Sequence, residues 1–244
     1  MRVVLKYGGS SVATLEKISK IANYIKELKE KVDEIVVVVS AMGKTTDELL
    51  KKAYSLTETP NKREIDMLIS TGEQQSAALL SLSLNSIGCN AISYTGHQIG
   101  LRTIGEYGNS EIVSIDKNFL EKQLKEQKVV IVAGFQGVND NGDITTLGRG
   151  GSDTTAVALA GVLGCECRIY TDVDGVYTDD PRRNNLATKI EKISYDDMEK
   201  MSKNGAKVME TKAVMIGKKY RVPIFVGESL GNEQGTYIVE KIEK

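Results

Sequence analysis

Two uninterrupted apolar runs constrain the fold of this chain more than any other feature of its sequence. Residues 34–40 read EIVVVVS, and residues 128–133 read KVVIVA. Both runs are too short to cross a membrane, and neither alternates between apolar and polar side chains as a half-exposed strand does. Strands that are apolar at every position are typical of a parallel sheet. The runs therefore predict a central sheet that is covered on both faces.

Helical patterns separate the predicted strands along the chain. Apolar residues recur every three or four positions from Leu15 to Val32, which predicts a long amphipathic helix. Similar patterns predict helices at residues 65–84 and 117–126, in the segment that ends near residue 164, and along residues 206–220. Further strands are predicted at residues 3–5, 90–94, 168–170, 223–229 and 235–240, with a hairpin turn at 138–143. Because strands alternate with helices, we expect an α/β fold with a mostly parallel sheet and helices on both faces.

The composition excludes several classes of protein. The 32 Lys and Arg residues balance 33 Asp and Glu residues, which disfavours a general binder of nucleic acid or membrane surfaces. Cys89, Cys165 and Cys167 form no disulfide framework, and His97 is the only histidine, so a zinc site or a histidine-based triad is not expected. No apolar run reaches membrane-spanning length, and the N-terminus lacks a signal-peptide pattern. We therefore expect a cytoplasmic protein without a protein-held metal.

Glycines and polar residues cluster where the predicted strands end. The clusters are residues 8–10, 40–43, 134, 148–152 and 171–175. The carboxyl ends of the strands in an open parallel sheet meet along one edge, and ligands bind there. The sequence therefore predicts a ligand site built from these loops.

The segment at 148–153, Gly-Arg-Gly-Gly-Ser-Asp, precedes a small-residue helix and has two interpretations. It is an ordinary glycine-rich turn with Ser152 as the N-cap, or it is an anion site. In the second interpretation, backbone N–H groups and the positive end of the helix dipole face a carboxylate or phosphate, with Arg149 above it. The segment alone leaves both open.

Two further segments have the composition of phosphate and nucleotide loops. Residues 6–10, KYGGS, place a lysine at a strand end beside two glycines, although a sheet-edge lysine beside a tight turn has the same pattern. The segment matches neither a P-loop nor a dinucleotide fingerprint. Residues 171–182, TDVDGVYTDDPR, combine acids, a tyrosine and an arginine that could stack a base and bind ribose and phosphate. A solvated acidic turn is the alternative, and the spacing does not fit a calcium loop.

Three other segments contain candidate site residues that have equally plain structural interpretations. Glu73 lies in STGEQQS at residues 70–76, and Thr46 lies in KTTD at residues 44–47. Helix capping explains either segment as well as a substrate contact does. Lys207 in NGAKV could belong to a solvated helix face.

Taken together, these segments resemble the aspartate kinases of the amino acid kinase superfamily. The matching blocks occur in the family's order across nearly the whole chain. They are KYGGSSV at 6–12, VVSAMGKTTDELL at 38–50, STGEQQSAALL at 70–80, VAGFQGVNDNGDITTLGRGGSDTTAVALA at 132–160, TDVDGVYTDDPR at 171–182 and NGAKV at 204–208. One glycine-rich motif is weak evidence, whereas six blocks in order are highly specific.

The resemblance implies a three-layer αβα sandwich with a mostly parallel central sheet, the amino acid kinase fold. It implies a single domain over residues 1–244, with an amino-acid-binding lobe at about 1–150 and an ATP-binding lobe at about 151–244. Members of that family usually continue into regulatory ACT domains, whereas this sequence ends about where the kinase domain is expected to end, so no ACT domain is expected within it. The chain is therefore expected either to lack that feedback device or to be a fragment. Relatives commonly form dimers, which implies a homodimer or a higher homo-oligomer.

The activity implied by the resemblance is ATP-dependent phosphorylation of the β-carboxylate of L-aspartate, giving 4-phospho-L-aspartate. That reaction opens the route to lysine, threonine, methionine and diaminopimelate. Mg²⁺ would be held mainly by the phosphates of ATP. Two alternatives remain: another member of the superfamily that acts on a related acid or phosphate acceptor, and a catalytically silent protein that binds aspartate or a nucleotide.

The resemblance also implies a role for each matching residue. Lys6 and Asp153 are the implied catalytic residues. The implied substrate-binding residues are Ser40, Thr46, Glu73, Arg149 and Ser152. The implied nucleotide-binding residues are Lys6, Gly8, Gly9, Ser10, Thr171, Asp172, Tyr177, Arg182 and Lys207. A β-carboxylate with a pKa of about 4 is already ionised at neutral pH, so we expect Asp153 to organise the site rather than to accept a proton.

Overall fold

The computed structural model of the chain describes residues 1–179, 184–204, 208–230 and 234–241. Its strands are β1 (Arg2–Tyr7), β2 (Glu34–Val39), β3 (Ala91–Tyr94), β4 (Arg102–Ile104), β5 (Glu111–Ser114), β6 (Val129–Ala133), β7 (Gln136–Val138), β8 (Ile144–Thr146), β9 (Glu166–Thr171), β10 (Val176–Tyr177), β11 (Lys189–Ile190), β12 (Lys192–Ser194), β13 (Ile224–Glu228) and β14 (Gly235–Val239). Its helices are α1 (Leu15–Lys29), α2 (Thr45–Leu56), α3 (Lys62–Ile69), α4 (Thr71–Ser86), α5 (Lys117–Lys125), α6 (Gly151–Leu163), α7 (Tyr195–Lys203) and α8 (Thr211–Tyr220).

A mostly parallel sheet runs through the centre of the described structure. Its strand order is β12-β14-β13-β9-β1-β2-β6-β3, and every neighbouring pair is parallel except β13 and β14. The two apolar runs of the sequence, β2 and β6, lie side by side within it, and neither is an edge strand. The predicted α/β fold with a mostly parallel sheet is therefore confirmed.

Alternate side chains of the central strands enter two separate cores. Val4 and Val36 pack in one core with residues of α6 and α8, and Leu5 and Val37 pack in the other with residues of α1 and α4. All four of these side chains are fully buried. Helices on both faces explain why the strands are apolar at every position. They also make the fold the expected three-layer αβα sandwich.

A smaller sheet with the order β5-β4-β7-β8 lies beside the main one. The predicted hairpin turn joins β7 to β8, which pair antiparallel with Val138 opposite Ile144. The strands β4 and β5 were not predicted. They have only three and four residues, and neither has an apolar run or a clear alternation. A short antiparallel pair, β10 and β11, was also not predicted.

The helices differ from the predicted ones in four places. The helix predicted at 65–84 is two helices, α3 and α4, which meet at Ser70. The helix predicted along 206–220 begins only at Thr211, and Ala206 lies outside the described residues. Helices α2 and α7 were not predicted as elements. No helix in the described ranges is long and apolar enough to span a bilayer.

Candidate active site

The loops that follow the parallel strands meet at one edge of the central sheet. Backbone hydrogen bonds continue the sheet ladder into these loops. The Gly8 N–H donates to the Tyr170 carbonyl at 3.2 Å, and the Gly134 N–H donates to the Val39 carbonyl at 3.1 Å. The Ser40 N–H similarly bonds to the end of β1. The glycine and polar clusters of the sequence therefore lie together, as the parallel topology requires.

The loops after β1 and β2 approach each other so closely that Gly9 has no space for a side chain. A Cβ atom at Gly9 would lie 2.7 Å from the carbonyl oxygen of Ala41. The Gly43 N–H donates to the Gly9 carbonyl at 3.0 Å, which fixes the contact. Ser10, next in the loop, is exposed, and its carbonyl accepts a hydrogen bond from Lys17 Nζ. The second glycine of the KYGGS segment is therefore required by packing between loops.

Lys6 and Asp153 form a buried ion pair at this edge. Lys6 is the next-to-last residue of β1, and Asp153 lies in the first turn of α6. The distance from Lys6 Nζ to Asp153 Oδ1 is 2.6 Å, with only about a tenth of each side chain exposed. A Cβ atom at Gly8 would lie 3.4 Å from Lys6 Nζ, so the glycine leaves the ammonium open on that side. The structure thus joins the two implied catalytic residues directly.

The start of α6 tests the interpretation of Ser152 in the Gly-Arg-Gly-Gly-Ser-Asp segment as a helix N-cap. The N-cap is Gly150, which has a φ of 64° and makes no side-chain cap. Ser152 is the second residue of the helix, so its interpretation as the N-cap is wrong. Its side chain packs against Gly134, where a Cβ atom would come within 2.8 Å of Ser152 Oγ. The turn is thus capped by glycine backbone, and no side chain of its own covers the positive end of the helix.

Arg149 stands in front of this helix end. Its side chain is exposed, and it makes no ion pair or side-chain hydrogen bond with the described residues. Gly148 and Gly150 flank it, each with a positive φ that favours glycine. An exposed guanidinium at a helix N-terminus is suited to bind an anion.

Glu73 lies in the first turn of α4 and is almost completely buried. Its Oε1 accepts a hydrogen bond from the Ala41 N–H at 3.1 Å. Its Oε2 has no hydrogen-bond partner among the described residues. Burial raises the pKa of Glu73 to about 7, although the Ala41 N–H opposes this increase. A buried acceptor without a donor is costly, so Oε2 is available to a cationic or N–H group of a ligand.

Ser40 and Thr46 belong to the segment that carries Ala41, which comprises the loop after β2 and the start of α2. Ser40 directly follows β2, Thr46 is in the first turn of α2, and both are half-buried. A Cβ atom at Gly72 would lie 2.8 Å from the Ala41 side chain, so the start of α4 packs directly on this loop. The structure therefore places Ser40, Thr46 and Glu73 on two segments in contact.

The loop after β9 contains the remaining described candidates. Thr171 Oγ1 donates to Asp172 Oδ1 at 3.0 Å, and Asp172 is exposed. The Tyr177 hydroxyl donates to Asp174, which also pairs with Lys189 at 3.0 Å. Lys189 is the main cause that lowers the pKa of Asp174, with a contribution from the Tyr177 hydrogen bond. The Tyr177 hydroxyl is therefore held by the carboxylate of Asp174, which is itself paired with Lys189.

Two of the predicted nucleotide-binding residues are not among those that the structure describes. Arg182 and Lys207 lie outside the described residues. Within the described ranges, His, Cys, Asp and Glu side chains form no group of three that could hold a metal ion.

Two acidic residues near the site were missed by sequence reasoning. Glu210 precedes α8 and covers Gly150: a Cβ atom at Gly150 would lie 1.8 Å from Glu210 Cγ. Asp66 is a fully buried carboxylate on α3 that accepts three hydrogen bonds. The sequence did contain a signal for Asp66, because it is an acidic residue within the apolar face of the helix predicted at 65–84. Nothing in the sequence indicated that Glu210 contacts Gly150.

Comparison with known proteins shows which family the chain resembles. The model of the amino acid kinase family matches residues 1–228. The aspartokinase of Geobacillus stearothermophilus is 52% identical over 241 residues, which are 98% of this chain and 59% of that protein. The chain thus spans about three-fifths of the length of the curated relatives it matches.

Solved structures show the same fold. The aspartate kinase from Synechocystis superposes with a TM-score of 0.88 at 45% identity, covering 100% of this chain and 40% of that one. Aspartokinase III of E. coli, in a complex with aspartate and ADP, gives a TM-score of 0.87 at 27% identity, covering 100% of this chain and 66% of that one. The sequence motifs, the αβα architecture and the family match lead to one conclusion: the chain belongs to the amino acid kinase family.

Proposed function

We propose that this chain transfers the γ-phosphoryl group of ATP to the β-carboxylate of L-aspartate, giving 4-phospho-L-aspartate and ADP. The observation that carries the proposal is the buried Lys6–Asp153 pair at the carboxyl edge of the sheet. It places a cation where loops from both halves of the chain meet. The identity of 52% to an aspartokinase across 98% of the chain supports aspartate as the acceptor.

The proposed reaction needs charge neutralisation more than it needs a base. A carboxylate oxygen of aspartate attacks the γ-phosphorus, and the bond from that phosphorus to the bridging β–γ oxygen breaks as ADP leaves. The nucleophile is already ionised at neutral pH, so no proton has to be removed. Bringing one anion onto a polyanion is the difficulty, and Lys6 reduces it by neutralising the transferring group. Asp153, paired with Lys6, then serves to orient the ammonium.

In this proposal, the charged groups of the aspartate substrate are bound by protein groups of opposite charge. Arg149 and the N-terminus of α6 bind a carboxylate of aspartate, and Glu73 binds the ammonium through its free Oε2. Ser40, Thr46 and Ser152 supply hydroxyl contacts nearby. The geometry that supports this arrangement is the exposed Arg149 beside the N-terminus of α6, where Gly150 makes no side-chain cap, and the buried acceptor on Glu73.

The nucleotide is assigned to the loops after β1 and β9. Gly8, Gly9 and Ser10 would face the phosphates, and Thr171, Asp172 and Tyr177 would hold the nucleoside. Arg182 and Lys207 would complete the phosphate contacts. The proposed lobes follow: residues 1–150 mainly bind the amino acid, and residues 151–244 mainly bind ATP.

Mg²⁺ fits this site as an ion held mainly by the phosphates of ATP. Mg²⁺ usually binds through one or two carboxylates together with substrate phosphates and water. The described loops offer scattered exposed acids such as Asp172 rather than a dedicated cage, which is compatible with that mode. The ion would supply further neutralisation of the phosphate charge.

The pathway, the cellular location and the oligomeric state belong to the same proposal. The reaction would open the biosynthesis of lysine, threonine, methionine and diaminopimelate in the cytoplasm, and the chain would act as a homodimer or higher homo-oligomer. There are two alternatives. The chain would act, like other members of the family, on a related acid or another phosphate acceptor, or it would bind aspartate or a nucleotide without catalysis.

One assay separates these possibilities. The purified chain is incubated with ATP, Mg²⁺ and hydroxylamine, which converts acyl phosphates to hydroxamates, and with one acceptor at a time. The acceptors are L-aspartate, L-glutamate, N-acetyl-L-glutamate and UMP, and ADP release is followed in parallel. We expect hydroxamate and ADP with aspartate. Turnover with another acceptor alone, or ATP binding without turnover, would contradict the proposal.

A further inference from the structure

Asp66 is a buried carboxylate that lies outside the proposed catalytic machinery. It is on α3 and has no exposed surface. Its Oδ2 accepts hydrogen bonds from the Thr146 N–H at 2.8 Å and the Gly108 N–H at 2.9 Å. Its Oδ1 accepts a bond from Thr146 Oγ1 at 2.8 Å. Burial of a charge is costly, and three donors aimed at one carboxylate indicate a specific task.

These bonds fasten two separate segments to α3. Thr146 is the last residue of β8, and Gly108 is in the turn between β4 and β5. The same two segments are joined directly, because the Ser110 N–H donates to the Thr146 carbonyl at 2.9 Å. Asp66 thus fixes the end of β8 and the neighbouring turn in one arrangement.

The Arg149 loop rests on that arrangement. Only two residues separate Thr146 from Arg149, and the first part of the loop lies on the β4–β5 turn. A Cβ atom at Gly148 would be 3.2 Å from both Asn109 Oδ1 and the Gly108 carbonyl oxygen. A displacement of either segment held by Asp66 would therefore move Gly148 and the guanidinium that follows it.

A second attachment reaches the same loop from α8. Lys212 Nζ donates to Asn109 Oδ1 and to the Leu147 carbonyl. Glu210 closes over Gly150 on the far side of Arg149. The backbone on both sides of Arg149 is held, while its side chain stays exposed and without a described partner.

We propose that Asp66 is a positioning residue for Arg149, and that it sets the affinity of the site for its acidic substrate. Asp66 acts through Thr146 and Gly108, and it touches no substrate. The proposal rests on the proposed function, in which Arg149 binds a carboxylate of the acceptor. A carboxylate clamp displaced by about 1 Å loses much of its effect, so the contribution of Asp66 is to acid binding and not to ATP binding.

The kinetic test uses Asp66→Ala and Asp66→Asn, together with Thr146→Val and its matched control Thr103→Val. We expect Asp66→Ala to raise KM for aspartate by about tenfold or more and to leave KM for ATP within about twofold. Asp66→Asn keeps acceptor oxygen for the two N–H groups and should rescue most of the loss. Thr146→Val removes one hydrogen bond to Asp66 and should raise KM for aspartate by about threefold. Thr103→Val, its control, removes a buried hydroxyl bond to Thr145 in the same sheet and should leave both KM values unchanged.

Two results would overturn the proposal. One is a lower Tm for Asp66→Ala and Thr146→Val with an unchanged KM for aspartate. The other is an equal increase in both KM values. If Asp66→Ala does not fold, the comparison of Thr146→Val with Thr103→Val decides.

Hydrogen exchange separates this proposal from the proposed function. Amide exchange of residues 147–151 is measured by mass spectrometry in the same variants without substrates. Faster exchange in the Asp66 and Thr146 variants than in Thr103→Val supports the positioning role even if aspartate is not the acceptor. Unchanged exchange of this segment overturns the role whatever the chain phosphorylates.

Discussion

Lys6 Nζ lies 2.6 Å from Asp153 Oδ1, and the pair joins a central strand to the N-terminal turn of α6. A second lysine–carboxylate pair in the molecule has nearly the same length: Lys20 and Glu16 are 2.7 Å apart, but more than half of each side chain is exposed. Exposed pairs contribute little, whereas the loss of one partner of a buried pair leaves a costly unpaired charge. The difference between these pairs gives a matched test of the site.

Lys6→Ala is expected to abolish most of the turnover while nucleotide affinity changes much less. Removing one preorganised group that stabilises transition-state charge costs about 10²- to 10³-fold in kcat. Steady-state kinetics and a nucleotide titration of the same variant measure the two effects. Lys20→Ala is the control and should match the unaltered chain in both. Unchanged turnover in Lys6→Ala would contradict the assignment of Lys6.

Glu73 predicts a pH dependence of substrate affinity. Burial raises the pKa of Glu73 to about 7, and only the ionised form attracts an ammonium group. KM for aspartate should therefore increase as the pH falls below about 7. Glu73→Gln should have a high KM at every pH and should lose this dependence. The control is Glu27→Gln, which replaces an exposed carboxylate on α1 and should keep the pH dependence of KM of the unaltered chain. The same pH dependence in Glu73→Gln would refute the role of Glu73 in binding the ammonium.

The same pKa also predicts the direction of a stability change. The pKa of Glu73 is higher in the folded chain than its ordinary value near 4.5, so the folded state binds the proton more tightly than the unfolded state. Stability from this group is present at low pH and is lost as the pH rises from about 4.5 to 7. The loss amounts to about 3 kcal/mol. Urea unfolding of Glu73→Gln and the unaltered chain across this range should show a difference that grows with pH in favour of Glu73→Gln.

The central sheet could be predicted because its signal is local. Strand β6 and all of β2 after Glu34 are apolar at every position, and that pattern has few explanations other than a sheet covered on both faces. The break at Ser70 could not be predicted, because it depends on one distant contact as well as on local hydroxyl bonds. Gln136 Nε2 donates to the Ser70 carbonyl at 2.8 Å, and the Ser70 and Thr71 hydroxyls bond to carbonyls at the end of α3.

The sequence names candidate site residues but does not predict how they are arranged. The motifs predict Lys6, Asp153 and Glu73 as candidates, since ligands in this topology bind where strands end and helices begin. The raised pKa of Glu73 depends on how deeply α4 packs against the loop at Ala41, which no spacing encodes. Asp66 was missed because its donors come from residues about 40 and 80 positions away in the chain.

Gly8 and Gly9 are expected to differ when each is replaced by alanine. The added methyl group at Gly9 would lie 2.7 Å from the Ala41 carbonyl oxygen, so the two loops must separate. Gly9→Ala should reduce the free energy of unfolding by about 1–3 kcal/mol. Gly8→Ala has space in the fold, and its stability should change by less than about 1 kcal/mol. Its methyl group contacts Lys6 Nζ instead, so kcat should fall; equal stability losses in the two variants would contradict this division.

Gly150 and Glu210 should show strong energetic coupling. Gly150→Ala has two separate costs: a φ of 64°, which is worth about 1–2 kcal/mol for alanine, and a methyl group 1.8 Å from Glu210 Cγ. Glu210→Gly removes the colliding side chain at an N-cap position, where glycine is well tolerated. The double variant should therefore keep only the cost of the φ angle and be more stable than Gly150→Ala. Urea unfolding of the four proteins gives the coupling energy, expected between about 0.5 and 3 kcal/mol. Strictly additive losses would show that Glu210 does not hold the Gly150 end of the Arg149 loop.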